Sequence, residues 1–313
     1  MINIGGFGHS GNTALVDFLA DNKDICQIGY DFTESAIIRS KWGLRAVLGN
    51  FQKNNLFVEW DLIRDCLLGV SRDSHSQFQP PVHHDFIRNA RVRGYLGSGY
   101  NEIVDWFIES VADLYLKSNL GFISLRVLLD DFIKRISDLA ILRSGRTNAL
   151  PLMRNDPAAA NIDLLGFFKI SYQFVTVRNP ADMMIDWISY YGHSNDALGA
   201  KKFSKQFVNK ISQFINSYNC LENDVKNRIK FVDFQRLVRS GEYRFELCDL
   251  LGIDKNFQLS RFNPEKSQLN IGISKSLSKE GENEVSTSCL PMLDKLIASV
   301  DSKNVVGGYF EFS

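Results

Sequence analysis

Residues 4–22 read IGGFGHSGNTALVDFLADN, and inside them residues 6–13, GFGHSGNT, almost spell a phosphate-binding loop of the Walker type. That pattern is G-x-x-x-x-G-K-S/T; both glycines and the hydroxyl stand in place, and Asn12 fills the lysine position. Residues 1–4 start as a strand, and Leu15, Val16, Phe18 and Leu19 then recur on a helical period. Residues 24–32, DICQIGYDF, read as a second strand, so the chain opens as strand–loop–helix–strand, the unit that begins a parallel sheet.

A strand-to-helix turn aims backbone N–H groups at one point, where the helix dipole adds about half a positive charge. Gly6, Gly8 and Gly11 permit the backbone conformations that bring the chain close to an anion, and Ser10 and Thr13 add hydroxyl donors. Phosphate or sulfate is the expected ligand. In nucleotide hydrolases and kinases the loop lysine neutralises charge on the transferred phosphoryl group. Asn12 therefore argues against an ordinary kinase or ATPase, though not against holding a nucleotide.

Composition sets wider bounds. The 313 residues are 44% hydrophobic, enough for one large α/β domain with insertions or at most two domains. Lys+Arg and Asp+Glu both total 36, which gives no general basic surface for nucleic acid or an anionic membrane. The five cysteines are scattered without a C-x-x-C pair, so neither a zinc cluster nor a disulfide framework is expected. No apolar run approaches the roughly 18–20 residues of a membrane span, and no signal-peptide pattern opens the chain. A cytoplasmic protein without a metal site is the expectation.

Along the chain, residues 33–150 look mostly helical, with clear apolar faces at 101–116 and 124–142. Residues 71–85, SRDSHSQFQPPVHHD, read as a loop interrupted by Pro80 and Pro81. Residues 172–177 (YQFVTV) and 229–234 (IKFVDF) read as strands, 243–253 as a helix, and 274–288 as a polar, mobile loop.

GGFGHSGNTALVDFL resembles the 5′-phosphosulfate loop of sulfotransferases that use 3′-phosphoadenosine 5′-phosphosulfate (PAPS), in which a cation precedes a Ser-Gly pair. His9 holds the cation position, and Ser10, Gly11, Thr13 and Leu15 match. Two further segments agree. FVTVRNPADMMIDWISYY (174–191) resembles the family's second signature, a strand followed by R-D/N-P and a helix, with Asn179 suited to the N-cap and Pro180 to the first turn. FVDFQRLVRS (231–240) and FNPEKSQLNIG (262–272) look like the tail of bacterial and carbohydrate sulfotransferases.

The resemblance implies a three-layer P-loop-like α/β fold, a parallel sheet flanked by helices, in a single domain over 1–313. A mainly helical acceptor-side insertion would occupy about 35–150. It implies PAPS as cofactor, 3′-phosphoadenosine 5′-phosphate as product, no metal, and a carbohydrate or glycoconjugate acceptor. Gly8, His9, Ser10, Gly11, Asn12 and Thr13 would bind the 5′ end, Arg178 the 3′-phosphate, and Lys266, with Ser267 and Asn270, would close over the cofactor or the core. The family usually places a serine eight residues after that arginine. Asp186 stands there instead, so the 3′-phosphate pocket must differ, with Ser189 as a substitute.

His9 would act protonated, or neutral with Arg39 or Arg45 supplying charge. For the base, carbohydrate and tyrosine sulfotransferases place a carboxylate at the end of the second strand, where Asp31 stands, with Glu34 beside it. Asp31 serves equally as the N-cap of a following helix. His83 and His84 are alternative bases or a surface feature, and the four tryptophans suit stacking or core packing. The rivals are a P-loop kinase of a small metabolite and a non-catalytic protein that binds a nucleotide or a partner.

Overall fold

The computed structural model describes residues 1–29, 34–53, 58–70, 80–117, 122–156, 158, 162–167 and 169–311. All five residues of β1 (Ile2–Gly6) are buried, as a strand covered on both faces requires. β1 belongs to a five-stranded parallel sheet of order β2-β3-β1-β4-β5, with β2 at Ile25–Gln27, β3 at Leu150–Arg154, β4 at Tyr172–Val177 and β5 at Ile229–Asp233. Ile25 pairs with Leu150 and Gln27 with Leu152; Gln173 pairs with Ile229 and Val177 with Asp233. Helices flank the sheet, giving the α/β class that the opening residues predict.

The chain divides into two compact units. The first comprises Met1–Asn3, Asp24–Asn155 and Leu164–Ser171. It holds β2, β3 and the helices α2 (Leu44–Lys53), α3 (Trp60–Leu68), α4 (Pro80–Leu96), α5 (Ser98–Leu116) and α6 (Phe122–Ser144). Its core is apolar and aromatic: Phe107 stacks on Phe132 with centroids 4.3 Å apart, and the buried Tyr100 hydroxyl donates to Leu67 O at 2.9 Å. Buried Asn89 accepts from Ala36 N and donates to Cys66 O, which ties the segment after β2 to α3.

The second unit comprises Ile4–Lys23, Asp156–Asp163 and Tyr172–Ser313. It carries α1 (Asn12–Ala20), β4, α7 (Pro180–Tyr191), α8 (Ala197–Asn219), α9 (Asn223–Lys226) and β5, followed by α10 (Phe234–Arg239) and α11 (Gly241–Leu251). It ends with α12 (Pro264–Gln268), α13 (Lys279–Glu284) and α14 (Leu290–Ser299). α8 is held by an apolar stripe of Phe203, Phe207, Ile211, Phe214 and Tyr218, all buried at three- and four-residue spacing.

Three sequence expectations change here. Pro80 and Pro81 do not interrupt a loop; they open α4, where a missing N–H costs no helical bond. Residues 71–79 lie outside the described residues. The polar stretch 274–288 is largely helical, with α13 capped by Ser278 and followed by a π-helical turn at Val285–Cys289. Finally, Leu150–Arg154, placed at the end of a helical block, is a strand that stands between β2 and β1 in the sheet. Among the described residues, no helix is long and apolar enough to cross a membrane.

Candidate anion site at the glycine loop

The turn from β1 into α1 is built on left-handed backbone. Gly8 has φ +83°, His9 φ +54° and Gly11 φ +94°. Left-handed residues at a strand-to-helix turn let the backbone bend back sharply beside the helix N-terminus, where the helix dipole favours an anion. Gly11 is the N-cap residue of α1, and no side chain caps that end of the helix. Gly11 is required twice over: besides its φ, an added Cβ would lie 2.8 Å from Cγ of the Phe234 ring.

The side chains of the loop are mostly turned inward. Ser10 is fully buried; its Oγ accepts from Phe7 N at 3.2 Å and shares a hydrogen bond with Thr176 Oγ1 at 2.9 Å. Its hydroxyl thus serves the loop's own shape. Asn12 is also buried. Its amide nitrogen donates to Asp156 Oδ1, and its amide oxygen accepts from Thr176 Oγ1. Asp156 Oδ1 also accepts from Gly6 N at 2.8 Å. Asn12 therefore links the loop to β4 and to the second residue after β3, an occupation that a lysine's long stem does not fit. Thr13 is half-buried in the first turn of α1.

His9 rests against two tyrosine rings, Tyr190 at 5.4 Å and Tyr191 at 5.9 Å between centroids, both edge-on. Burial lowers its pKa from the ordinary 6.5; Lys210 and Arg178 push in the same direction, while Asp186 and Asp156 oppose. This shift works against the protonated form of His9 and favours the neutral alternative in the free protein.

The turn from β4 into α7 has the opposite character. Asn179 caps α7, its side chain accepting from Ala181 N at 2.8 Å, and Pro180 fills the first helical turn, as the sequence predicts. Arg178 is only 3% exposed. One Nη donates to His9 O at 3.0 Å and pairs with Asp186; the other donates to Asn270 O. The guanidinium also lies 5.1 Å from the Phe234 ring centre. Asp186 thus neutralises the arginine that the resemblance assigns to a 3′-phosphate. Buried Asp182 completes the clasp by accepting from Gly272 N and Ser274 N, each at 2.9 Å. Together Arg178 and Asp182 tie residues 270–274 to this turn. Lys266 and Ser189 are exposed.

Sequence reading missed two residues of the loop's surroundings. Asp156 follows β3, the unrecognised strand. Lys210 projects from α8, its Nζ donating to Phe7 O at 3.2 Å. A lysine seven residues after Phe203 and four before Phe214 lies on the same helical face as those apolar side chains, and that pattern was its only signal.

Of the base candidates, Glu34 and His84 lie in the first unit. Asp31 lies outside the described residues. Glu34 has both oxygens engaged, Oε1 with Arg39 at 3.0 Å and Oε2 with Arg88 at 3.2 Å. Arg39 also meets Asp85 at 3.2 Å, so it belongs to this ion-pair cluster. His84 is exposed on α4, and His83's side chain lies outside the described residues. The tryptophans pack on neighbours: Trp42 against Leu62, Cys66 and Phe86, Trp60 on Tyr115, Trp106 under Arg135 and Trp187 on Phe203. Among the described residues, no group of three or more His, Cys, Asp or Glu side chains is placed to hold a metal ion.

These features define a class: an α/β protein whose first strand runs into its first helix through a glycine loop with left-handed backbone. No protein-family model matches the sequence, and no curated protein matches it. Among solved structures, the chain is similar to the sulfotransferase domain from the Synechococcus PCC 7002 olefin synthase. The TM-score is 0.44 at 13% identity, over 91% of this chain and 92% of that one.

Proposed function

We propose that the second unit holds a nucleotide by its 5′-phosphate end at residues 8–13, and that the chain is a sulfotransferase drawing on PAPS. The loop carries this reading: left-handed Gly8, His9 and Gly11, an uncapped α1, and a buried asparagine where phosphoryl transfer needs lysine. Sulfuryl transfer moves SO3 in line from a phosphate oxygen to an acceptor hydroxyl or amine, leaving 3′-phosphoadenosine 5′-phosphate. Charge growing on the bridging oxygen must be stabilised, and the acceptor's proton must be removed.

Loop amides and the α1 dipole serve the first task, with neutral His9 donating one hydrogen bond. Asp31 is the proposed base; Glu34, doubly paired, ranks below it, with His83 and His84 as alternatives. Lys266 is the proposed cation toward the 3′-phosphate, because Arg178 is already paired with Asp186. A carbohydrate or glycoconjugate acceptor and a cytoplasmic setting rest on family resemblance alone.

A non-catalytic nucleotide-binding protein on the same fold is the second reading, and the Arg178–Asp186 pair favours it. Calorimetry with 3′-phosphoadenosine 5′-phosphate and with ATP separates the readings, followed by mass spectrometry of candidate glycans incubated with PAPS. Bisphosphate binding and sulfated product are expected. Tight ATP binding with none of the bisphosphate would return the chain to small-metabolite kinases, and bisphosphate binding without product would favour the second reading. Asp31→Ala is expected to fold and bind bisphosphate yet lose sulfation at least a hundredfold, the lower range for general-base catalysis.

A further inference from the structure

The glycine loop lacks a lysine in its sequence, yet an ammonium lies over it. α8 is fixed against the loop by an edge-on contact between Phe7 and Phe214, with centroids 5.3 Å apart and planes at 83°. One turn before Phe214, Lys210 reaches the loop. Its Nζ lies 3.2 Å from Phe7 O and 3.1 Å from the point where a Cβ on Gly8 would stand. Gly8, with φ +83°, leaves that approach open.

The charge on Lys210 is placed differently from that on Arg178. Arg178 has a carboxylate partner and two carbonyls. Lys210 is half-buried and donates to one neutral carbonyl, with no carboxylate within ion-pair distance among the described residues. An ammonium has three donors, so two remain for a ligand.

We propose that Lys210 is the cation of the glycine loop, supplied from α8 in place of the lysine that Asn12 replaces, and that it contacts the phosphate or sulfate group bound over Gly8. This rests on the reading of the loop as an anion site, and it deepens that reading by naming the residue that selects for a doubly charged or diphosphate-like group. Burial lowers the Lys210 pKa from its ordinary value and Asp156 acts against that shift; a bound anion would act in the same direction as Asp156. With burial working against a charge on His9, Lys210 supplies the cation that the loop pattern expects at the histidine.

The test is calorimetry of the full chain with 3′-phosphoadenosine 5′-phosphate and with pyrophosphate, at two salt concentrations. Lys210→Met keeps the apolar stem and removes the charge; Lys210→Arg keeps the charge. Lys210→Met is expected to weaken both ligands about tenfold to a hundredfold and to flatten the salt dependence, while Lys210→Arg stays within a few-fold of the parent. Adding His9→Lys to Lys210→Met returns a cation to the loop and is expected to recover most of the loss, which a merely structural lysine would not allow.

Unchanged pyrophosphate and bisphosphate affinity in Lys210→Met overturns the assignment while leaving the sulfotransferase reading intact. Pyrophosphate binding that depends on Lys210 but no bisphosphate binding keeps the assignment and sinks the PAPS reading. No binding of either by the parent chain overturns both. If Lys210→Met fails to fold, the parent answers alone: protection of Lys210 from amine acetylation by pyrophosphate, read by mass spectrometry, supports the assignment, and unaltered acetylation overturns it.

Discussion

The second unit contains two strand-to-helix turns of similar sequence promise and opposite outcome. After β1, the turn spends glycines on left-handed backbone, leaves α1 without a side-chain cap and keeps Lys210 on a single neutral carbonyl. After β4, Asn179 caps α7, Pro180 removes a donor, and Arg178 is held by Asp186, His9 O and Asn270 O. The first turn is the one proposed to take a ligand. The second commits both Nη atoms of Arg178 to the protein itself and becomes a clasp for residues 270–274. A cation beside a helix N-terminus signals a binding site only when its charge is not already balanced.

The largest expected effect breaks the first turn. Gly11→Ala forces an L-residue to φ +94° and drives a methyl group into the Phe234 ring. A loss of about 3 kcal/mol is expected in urea unfolding, together with loss of phosphate binding. An unchanged midpoint would mean that the loop backbone is not left-handed there. Next in size is Asp182→Ala, which leaves Gly272 N and Ser274 N without their acceptor. About 2 kcal/mol is expected, with faster hydrogen exchange confined to those amides and their neighbours. Exchange that is unaltered there would remove Asp182 from the clasp.

Asp186→Ser converts the second turn toward the first by releasing Arg178. Its expected result is a preference for 3′-phosphoadenosine 5′-phosphate over adenosine 5′-phosphate about tenfold greater than in the parent, read by calorimetry. Equal preference in both proteins would show that Arg178 remains committed to the backbone carbonyls.

The smallest effect is in the titration of His9, followed by its ring signals in nuclear magnetic resonance. The expected midpoint lies below 6.5 in the free protein and moves upward when phosphate binds. The folded state then holds fewer protons on His9 than the unfolded chain. Its stabilising contribution is full above pH 6.5 and is lost as pH falls through the folded value. A free-protein midpoint above 6.5 would restore the histidine as the loop's cation.

Much of this was legible because it was local. Glycines that precede a 3.6-residue apolar period announce a strand–loop–helix turn wherever they occur, and Asn-Pro after YQFVTV announces a capped helix. The β3 strand was not legible, because LPLMR is short, contains a proline and lacks alternation, and only its neighbours in the sheet make it a strand. Asp156 went unseen with it. The inward turn of Ser10 and Asn12 was equally hidden, since both depend on Thr176, more than 160 residues away.

By itself, the sequence determined the α/β class, the position of the glycine turn and the absence of a lysine within it, because backbone conformation and apolar period are written in adjacent residues. Only the tertiary structure decided which cation serves that turn. Arg178 and Lys210 are both single basic residues in the chain, and charge balance depends on what long-range packing brings within a few ångströms of each. Asp186 and Asn270 close around the one; Phe7 and Phe214 leave the other facing the loop.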